Sequence, residues 1–411
     1  MTQVESEIAA GFDALLGGAG DAERDAFFAR CRAEAPIFYS EALGAWVLAR
    51  YDDVRGVLED HRYLTLTDGP GSPIYGRSML QWEGVEHNKK SGPVVKRIRS
   101  PRAIRESIDG KVLEIARRTA DALPLDQPVD LRADYVMLVP LLVITELLDI
   151  HEAGKFRSMY DAIMKGGISS IADPSLRIAA FEALDSLREI VAPIVEERRL
   201  RPGSDMISDI ATATYDGEPY PTEEIIATVA FLLTAGIETV ERALTSLLRH
   251  LALDRDEWDR LCARIDDPEY VLSLSAESLR LYPPVQGTIR RATEATELHG
   301  VTIEPDDRVN VLIASANRDE SRFEAASEFR AERFLDNPDR QFTNAGDVLP
   351  FGAGRHHCAG SRLAGTEMVH SLRQLVRRAD WLEPRGELPG GDGLLLRSPP
   401  SLPVVLHGAA S

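Results

Sequence analysis

The sequence predicts a mainly α-helical single domain over residues 1–411, carrying a small β-rich part. Three observations predict it. Long apolar-rich segments recur at helical spacing, among them VMLVPLLVITELLDI (136–150), AAFEALDSLREIVAPIVEERRL (179–200) and IATVAFLLTAGIETVERALTSLLRHLAL (226–253). Strand signals are short and gather at about 36–54 and 286–316, with a C-terminal stretch at 385–406. No repeat, low-complexity tract or linker interrupts the pattern.

In chain order, the N-terminus MTQVESEIAAGFDALLGG is acidic and has no basic region followed by an apolar run, so it does not read as a secretory signal. PIFYSEALGAWVLARYDDV (36–54) reads as a hairpin followed by a helix, and TELHGVTIEPDDRVNVLIASA (296–316) alternates around turn residues in the same way. RPGSD (201–205) and YDGEPYPTEE (215–224) punctuate the helices, with Thr222 placed to cap the next one. The longest nearly apolar run, Ile225 to Ile237, is too short for a membrane span and contains two threonines. A net charge of −19 argues against a general nucleic-acid binder. Three distant cysteines, Cys31, Cys262 and Cys358, form no disulfide framework and point to a reducing, cytoplasmic setting without membrane attachment.

The stretch LPFGAGRHHCAG (349–360) raises the question of why a cysteine is presented there. Apolar residues from Leu363 to Val376 follow helical spacing, so Cys358 sits at or just before a helix N-terminus, where exposed amides and the helix dipole favour thiolate. Gly352 and Gly354 allow a tight turn, and Gly360 allows close packing beyond the sulfur. A half-buried cysteine in a glycine-rich loop is the plain alternative. Zinc would need more ligands at short spacing than His356 and His357 supply.

The pattern F-G-x-G-x-H-x-C-x-G, filled by Phe351, Gly352, Gly354, His356, Cys358 and Gly360, resembles the haem-binding loop of the cytochromes P-450. The resemblance implies the cytochrome P-450 fold, with haem b (iron protoporphyrin IX) between a long central helix and the cysteine-bearing loop. It implies that Cys358 is the axial iron ligand and that His356 bonds a haem propionate. Thiolate pushes electron density onto iron and favours O–O cleavage.

A second element lies in TAGIET (Thr234 to Thr239) within the predicted central helix. A glycine, a glutamate and a threonine are costly in so apolar a run unless used. The plain alternative pairs the glutamate with an arginine and turns the threonine back onto the helix backbone. Ala235, Gly236, Glu238 and Thr239 resemble the family's A-G-x-[D/E]-T. That resemblance implies that Gly236 opens the helix for dioxygen and that Ala235 borders the haem. Thr239 then holds the activated oxygen and a water, while Glu238 relays protons.

In SAESLRLYPPV (275–285), Glu277 and Arg280 share a helix face stopped by Pro283 and Pro284. Such a pair is ordinarily a surface salt bridge. Here it resembles the family's E-x-x-R, completed by Arg333 in FRAERF as a structural triad. QGTIRRATE (286–294) offers Arg290 for the second propionate, with Arg291 as the adjacent alternative, and His87 resembles the family's propionate histidine. The family's arginine four residues later is replaced by Ser91, followed by Gly92 and Pro93, which predict a shortened or kinked helix. Lys90 or Arg97 would then supply the missing charge.

KRIRSPRAIR (96–105) puts five basic residues in ten on a strongly acidic chain. A solvated helix end explains this, and so does a docking face for an acidic ferredoxin at Lys96, Arg97, Arg99 and Arg102. Taken together, the resemblance implies a monooxygenase that inserts one atom of O2 into a mainly apolar small organic substrate such as a secondary metabolite. Electrons would come from NAD(P)H through ferredoxin reductase and ferredoxin. The expected pocket wall comes from 66–82, 156–175, 285–288 and 393–396, with Phe231, Ala235, Val285, Gln286, Thr288, Leu394 and Leu395. The rivals are a peroxide-driven peroxygenase and a haem-binding gas sensor or store, neither of which needs the acid–threonine pair.

Overall fold

The computed structural model describes residues 2–16, 18–66, 75–150, 153–168, 174–393 and 395–408. The expected pocket residue Leu394 lies outside the described residues, as do parts of the expected wall segments 66–82 and 156–175. Helices dominate, as the periodicity predicts, and no helix among the described residues is long and apolar enough to cross a membrane. Contacts cluster in two compact units, 1–64 with 116–136 and 239–411, and 65–115 with 137–238. The chain passes between them four times without a linker.

The first unit holds the sheets that the sequence anticipates. Ile37–Ser40 and Ala45–Leu48 form the hairpin, closed through Gly44 at φ +56, and the helix Tyr51–Glu59 follows. Their sheet runs in the order Ile37–Ser40, Ala45–Leu48, Arg308–Val311, Thr288–Ala292, Tyr63–Thr65. Val309 stands opposite Trp46 in a parallel pair and opposite Arg290 in an antiparallel one. A second sheet joins Trp381–Pro384, Pro403–His407 and Pro128–Asp130. The C-terminal β-rich stretch expected at 385–406 is therefore confined to its edges. Pro389, Pro399 and Pro400 cannot donate to a ladder, and among the described residues only isolated bridges such as Val285 with Leu396 form between.

Two further helices of this unit carry the buried Glu277–Arg280 pair and the chain beyond the cysteine. Pro268–Leu281 starts where Asp267 accepts the amides of Glu269 and Tyr270, with proline at its first position, and it stops at Pro283 and Pro284. Ser361–Arg378 begins three residues after Cys358.

The second unit is nearly all helix. Ala153–Ile168 and Pro174–Leu200 pack so closely that a Cβ on Gly166 would stand 2.2 Å from that of Ala180. A two-residue turn at Asp216 and Gly217, both at positive φ, closes the small hairpin Thr214–Tyr215 with Glu218–Pro219. The departure at Ser91 has its expected effect: the chain forms two short helices, Gly84–Lys90 and Gly92–Arg99, with Pro93 in the first turn of the latter. The central helix itself runs unbroken over Thr222–Leu253.

Candidate active site

The cysteine loop is held by its own main chain. The Cys358 amide donates to Phe351 O at 2.8 Å, the Gly352 amide to Leu349 O at 2.9 Å, and the His357 amide to Gly354 O at 3.2 Å. Gly352 and Gly354 adopt φ of +68° and +69°, the region that favours glycine. At Gly354 a side chain is excluded twice over, since a Cβ would lie 2.6 Å from Leu58 O and 2.8 Å from Glu59 Cα. The loop is thus clamped onto the end of Tyr51–Glu59, while the Gly354 amide donates to Asn344 Oδ1 at 2.9 Å.

This clamp presents the sulfur. Cys358 is exposed, whereas Cys31 is buried and Cys262 half-buried. Burial pushes the Cys31 thiol up to about 12 and the Cys262 thiol to about 11, so both stay protonated. Cys358 instead precedes a helix N-terminus capped at Gly360, whose absent Cβ would stand 3.9 Å from Sγ in ordinary contact. An exposed thiol in a rigid loop at a helix start is the donor that a soft metal centre requires. Haem iron is therefore compatible with the residues present. No cluster of histidine, cysteine and carboxylate able to hold a free metal ion occurs among the described residues. The two histidines also separate. His356 is half-buried in a 3-10 turn, while His357 is buried with its ring 6.3 Å from that of Phe351.

The pair at the heart of the triad is fully inside, with Arg333 half-buried beside it. Glu277 and Arg280 are 0% exposed, which rules out an ordinary surface pair. Arg280 donates from Nε and Nη2 to the two Glu277 oxygens at 2.8 Å, and Arg333 Nε donates to the same carboxylate at 3.0 Å. Further guanidinium N–H groups reach main-chain oxygens of Asn317, Ala326 and Glu328 for Arg280, and of Glu324, Ala325 and Glu328 for Arg333. Asn317 ties this knot to the cysteine loop. Its carbonyl accepts from Arg280, and its side-chain Oδ1 accepts the Leu349 amide at 2.9 Å. Nothing in the sequence singled out Asn317; the usable signal was an asparagine in the apolar run VLIASAN.

Strand alternation separates the two arginines of QGTIRRATE. Arg290 is buried and donates to Thr288 Oγ1 at 3.1 Å, while Arg291 faces out and pairs with Asp306 at 2.6 Å. Gly287 is forced by close approach, since a Cβ would lie 2.8 Å from Val311 O. Of the expected pocket residues, Val285, Thr288 and Leu395 are half-buried. Gln286 is buried, with Nε2 donating to Pro283 O at 2.6 Å and Oε1 accepting from Arg24 at 2.9 Å.

Along the central helix, residues 225–241 are buried except for Phe231, Ala235, Gly236 and Thr239. Phe231, Ala235 and Thr239 fall at i, i+4 and i+8, a single line of accessible positions on an otherwise buried helix. Glu238 is buried next to that line. Thr234 turns back onto the helix backbone, its Oγ1 donating to Ala230 O and Phe231 O at 3.0 Å, and so does Thr245, to Glu241 O at 2.8 Å. A Cβ on Gly236 would reach Ile144 at 3.5 Å, an ordinary contact. Tyr75 also belongs here, a residue the sequence covered only as part of 66–82. Its ring lies 6.1 Å from that of Phe231, and burial raises its hydroxyl above the ordinary range despite a bond to Thr234.

His87 is buried, and its carbonyl accepts from Ser91 Oγ at 2.6 Å. The two residues expected to replace the arginine at Ser91 are engaged elsewhere. Lys90 pairs with Glu224 at 2.6 Å and Glu86 at 2.9 Å, within 5.8 Å of the rings of Trp82, Tyr215 and Tyr220. Arg97 bonds Asp209 and the Ser204 carbonyl. In the basic stretch Arg102 pairs with Glu106, Arg99 is half-buried, and Lys96 and Arg105 are exposed.

Comparison with known proteins places the chain in a family. The cytochrome P450 family model matches residues 151–402. The chain is 30% identical to mycinamicin IV hydroxylase/epoxidase of Micromonospora griseorubida, covering 88% of this chain and 89% of that one. It is 27% identical to pulcherriminic acid synthase of Bacillus subtilis (strain 168), covering 93% and 95%. Substrate-free CYP109E1 from Bacillus megaterium superposes with a TM-score of 0.83 at 25% identity, covering 93% of this chain and 98% of that one. A mutant of P450 EryK in complex with erythromycin B superposes at 0.80 with the same identity, covering 95% and 99%. The chain belongs to the cytochrome P450 family of haem-iron monooxygenases.

Proposed function

We propose that the chain is one catalytic domain over 1–411, cytoplasmic, that inserts one oxygen atom into a mainly apolar secondary metabolite. The reading rests above all on Cys358, the one exposed cysteine, held by a loop whose shape is fixed at Gly354. Cys358 would ligate the iron of haem b, and His356, Arg290 and His87 would neutralise its propionates. The haem supplies oxygen activation when bound, with thiolate as the electron-donating ligand.

This chain's own residues do the rest. Thr239 presents a hydroxyl on the accessible line of the central helix, and Glu238 beside it carries protons inward. In the second unit Phe231 and Ala235 would offer the substrate apolar contacts beside the Tyr75 phenol, and in the first Val285, Thr288 and Leu395 would offer apolar contacts and one hydroxyl. The names of the relatives, mycinamicin IV hydroxylase/epoxidase among them, support a substrate of secondary-metabolite size. Electrons would arrive from NAD(P)H through ferredoxin reductase and a small acidic ferredoxin docking near Lys96, Arg99 and Arg102. Arg97, expected in that face, is committed to Asp209.

Two measurements test this reading. The reduced carbon monoxide difference spectrum should carry the strongly red-shifted thiolate band, and Cys358→Ser should abolish it. With redox partners and a substrate that shifts the spin state, Thr239→Ala should keep consuming NAD(P)H while releasing hydrogen peroxide in place of product. Full coupling in that variant would defeat the proton-delivery role.

A further inference from the structure

Within the first unit, a cleft of about 80 Å3 lies apart from Cys358 and its loop. The first turn of the helix Asp21–Glu34 contributes Asp21 and Arg24, and the last turns of the central helix contribute Arg249 and His250. Gln286 and Arg397 close it from the C-terminal half of the chain.

Its charges do not balance. Asp21 is matched by Arg397 at 2.9 Å, and Arg24 by Asp25 at 2.7 Å. Asp25 is in turn shared with Arg318 at 3.0 Å. Arg249 donates only to main-chain carbonyls, Pro389 O at 2.7 Å and Leu388 O, and among the described residues no carboxylate lies within ion-pair distance of it. His250 adds no compensating charge. Its ring stacks 4.0 Å from Phe329, and burial holds its imidazole below the ordinary range, so it is neutral at pH 7. A cation thus remains over inside a cleft, on a chain whose net charge is −19.

We infer that this cleft is a binding site for a small oxyanion, a phosphate or a short carboxylate, gripped between Arg249 and Arg24. Guanidinium forks match the oxygens of such groups in paired hydrogen bonds. The size fits, since about 80 Å3 is roughly half of the ~150 Å3 that takes up a benzene ring. An oxyanion here would also compete with Gln286 for Arg24 Nη1, which now donates to Gln286 Oε1. Occupancy of the cleft would therefore be felt at the segment 285–288. The inference does not rest on the haem chemistry.

Titration calorimetry of the holoprotein tests it, with inorganic phosphate in one arm and acetate in another, each against chloride at matched ionic strength. We expect saturable one-to-one binding in at least one arm, and which arm responds separates the two sources of oxyanion. Arg249→Gln should weaken that binding at least tenfold with the haem spectrum unchanged. Should Arg249→Gln lose its haem spectrum, Arg24→Gln on the opposite wall answers the same question, with at least a fivefold loss expected. No saturable heat in either arm overturns the proposal, and so does undiminished affinity in the folded variant.

Discussion

The two units each bury a charged knot, and the knots are built differently. In the first, Glu277 meets two guanidinium groups, and further donors of Arg280 and Arg333 find main-chain oxygens. In the second, the buried cation is an ammonium, Lys90, between Glu86 and Glu224 among three aromatic rings, with the exposed Arg77 pairing with the same two carboxylates from outside. The first knot is rigid because planar forks fix direction as well as distance. The second is a point charge that tolerates rotation and gains from ring faces. The rigid one fastens the segments around the cysteine loop, where geometry must hold. The looser one fastens Gly84–Lys90 to the first turn of the central helix.

That contrast can be broken first at its strongest point. Glu277→Ala strands the fully buried Arg280 and the partly buried Arg333 without their carboxylate, and the loss should be about 3–5 kcal/mol. A fall in the urea midpoint and a loss of bound haem on purification are the readouts. Stability within 1 kcal/mol or so of the parent would refute the over-determined knot. Lys90→Met keeps the apolar stem and leaves Glu86 and Glu224 with Arg77 as their remaining cation. The expected cost is about 1–3 kcal/mol with haem retained, measured in the same way.

A pH-dependent effect sharpens the comparison with a third buried group. Glu367, on the helix Ser361–Arg378, is 2% exposed, and burial raises its carboxyl to about 8. The folded chain therefore holds a proton that the unfolded chain releases near its ordinary value of 4.5. Stability must fall as pH climbs through the window from about 4.5 to about 8. Glu367→Gln removes that dependence, so its melting temperature should pull ahead of the parent between pH 5 and pH 8, the gap growing with pH. Parallel curves would show that the carboxyl is not held neutral.

The smallest expected effect lies in the basic stretch. Arg102→Gln breaks only an exposed pair with Glu106 and should change stability by about 0.5 kcal/mol or less. Arg97→Gln removes bonds to Asp209 and Ser204 O and should cost more. If ferredoxin docks here, Arg102→Gln is the one that should slow reduction at low salt.

Much of the site was legible because its chemistry needs fixed residues at fixed spacing. Gly352 and Gly354 beside Cys358 follow from a loop that must turn tightly, whereas Glu277, Arg280 and Arg333 were legible only through their resemblance to the family's E-x-x-R, the pair alone reading as a surface salt bridge. The helices followed from apolar periodicity. What stayed hidden depends on contacts between distant segments. By sequence, Lys90 and Arg97 are free to replace the arginine at Ser91, yet Glu224 and Asp209, more than 110 residues away in each case, already hold them. Gln286 reads as a substrate contact, and only the fold brings Arg24 to its oxygen. The expected C-terminal strand stretch failed in its middle because a strand signal does not reveal which amides prolines remove.

Asn317 carries one more consequence. Its two oxygens serve Arg280 and the Leu349 amide, so a single residue couples the interior charge knot to the loop that bears the sulfur. The Leu349 amide proton is thereby a natural reporter. Its exchange with deuterated solvent should be slow in the intact protein, and it should quicken when either Glu277 or Asn317 is replaced, before the loop's own sequence is touched.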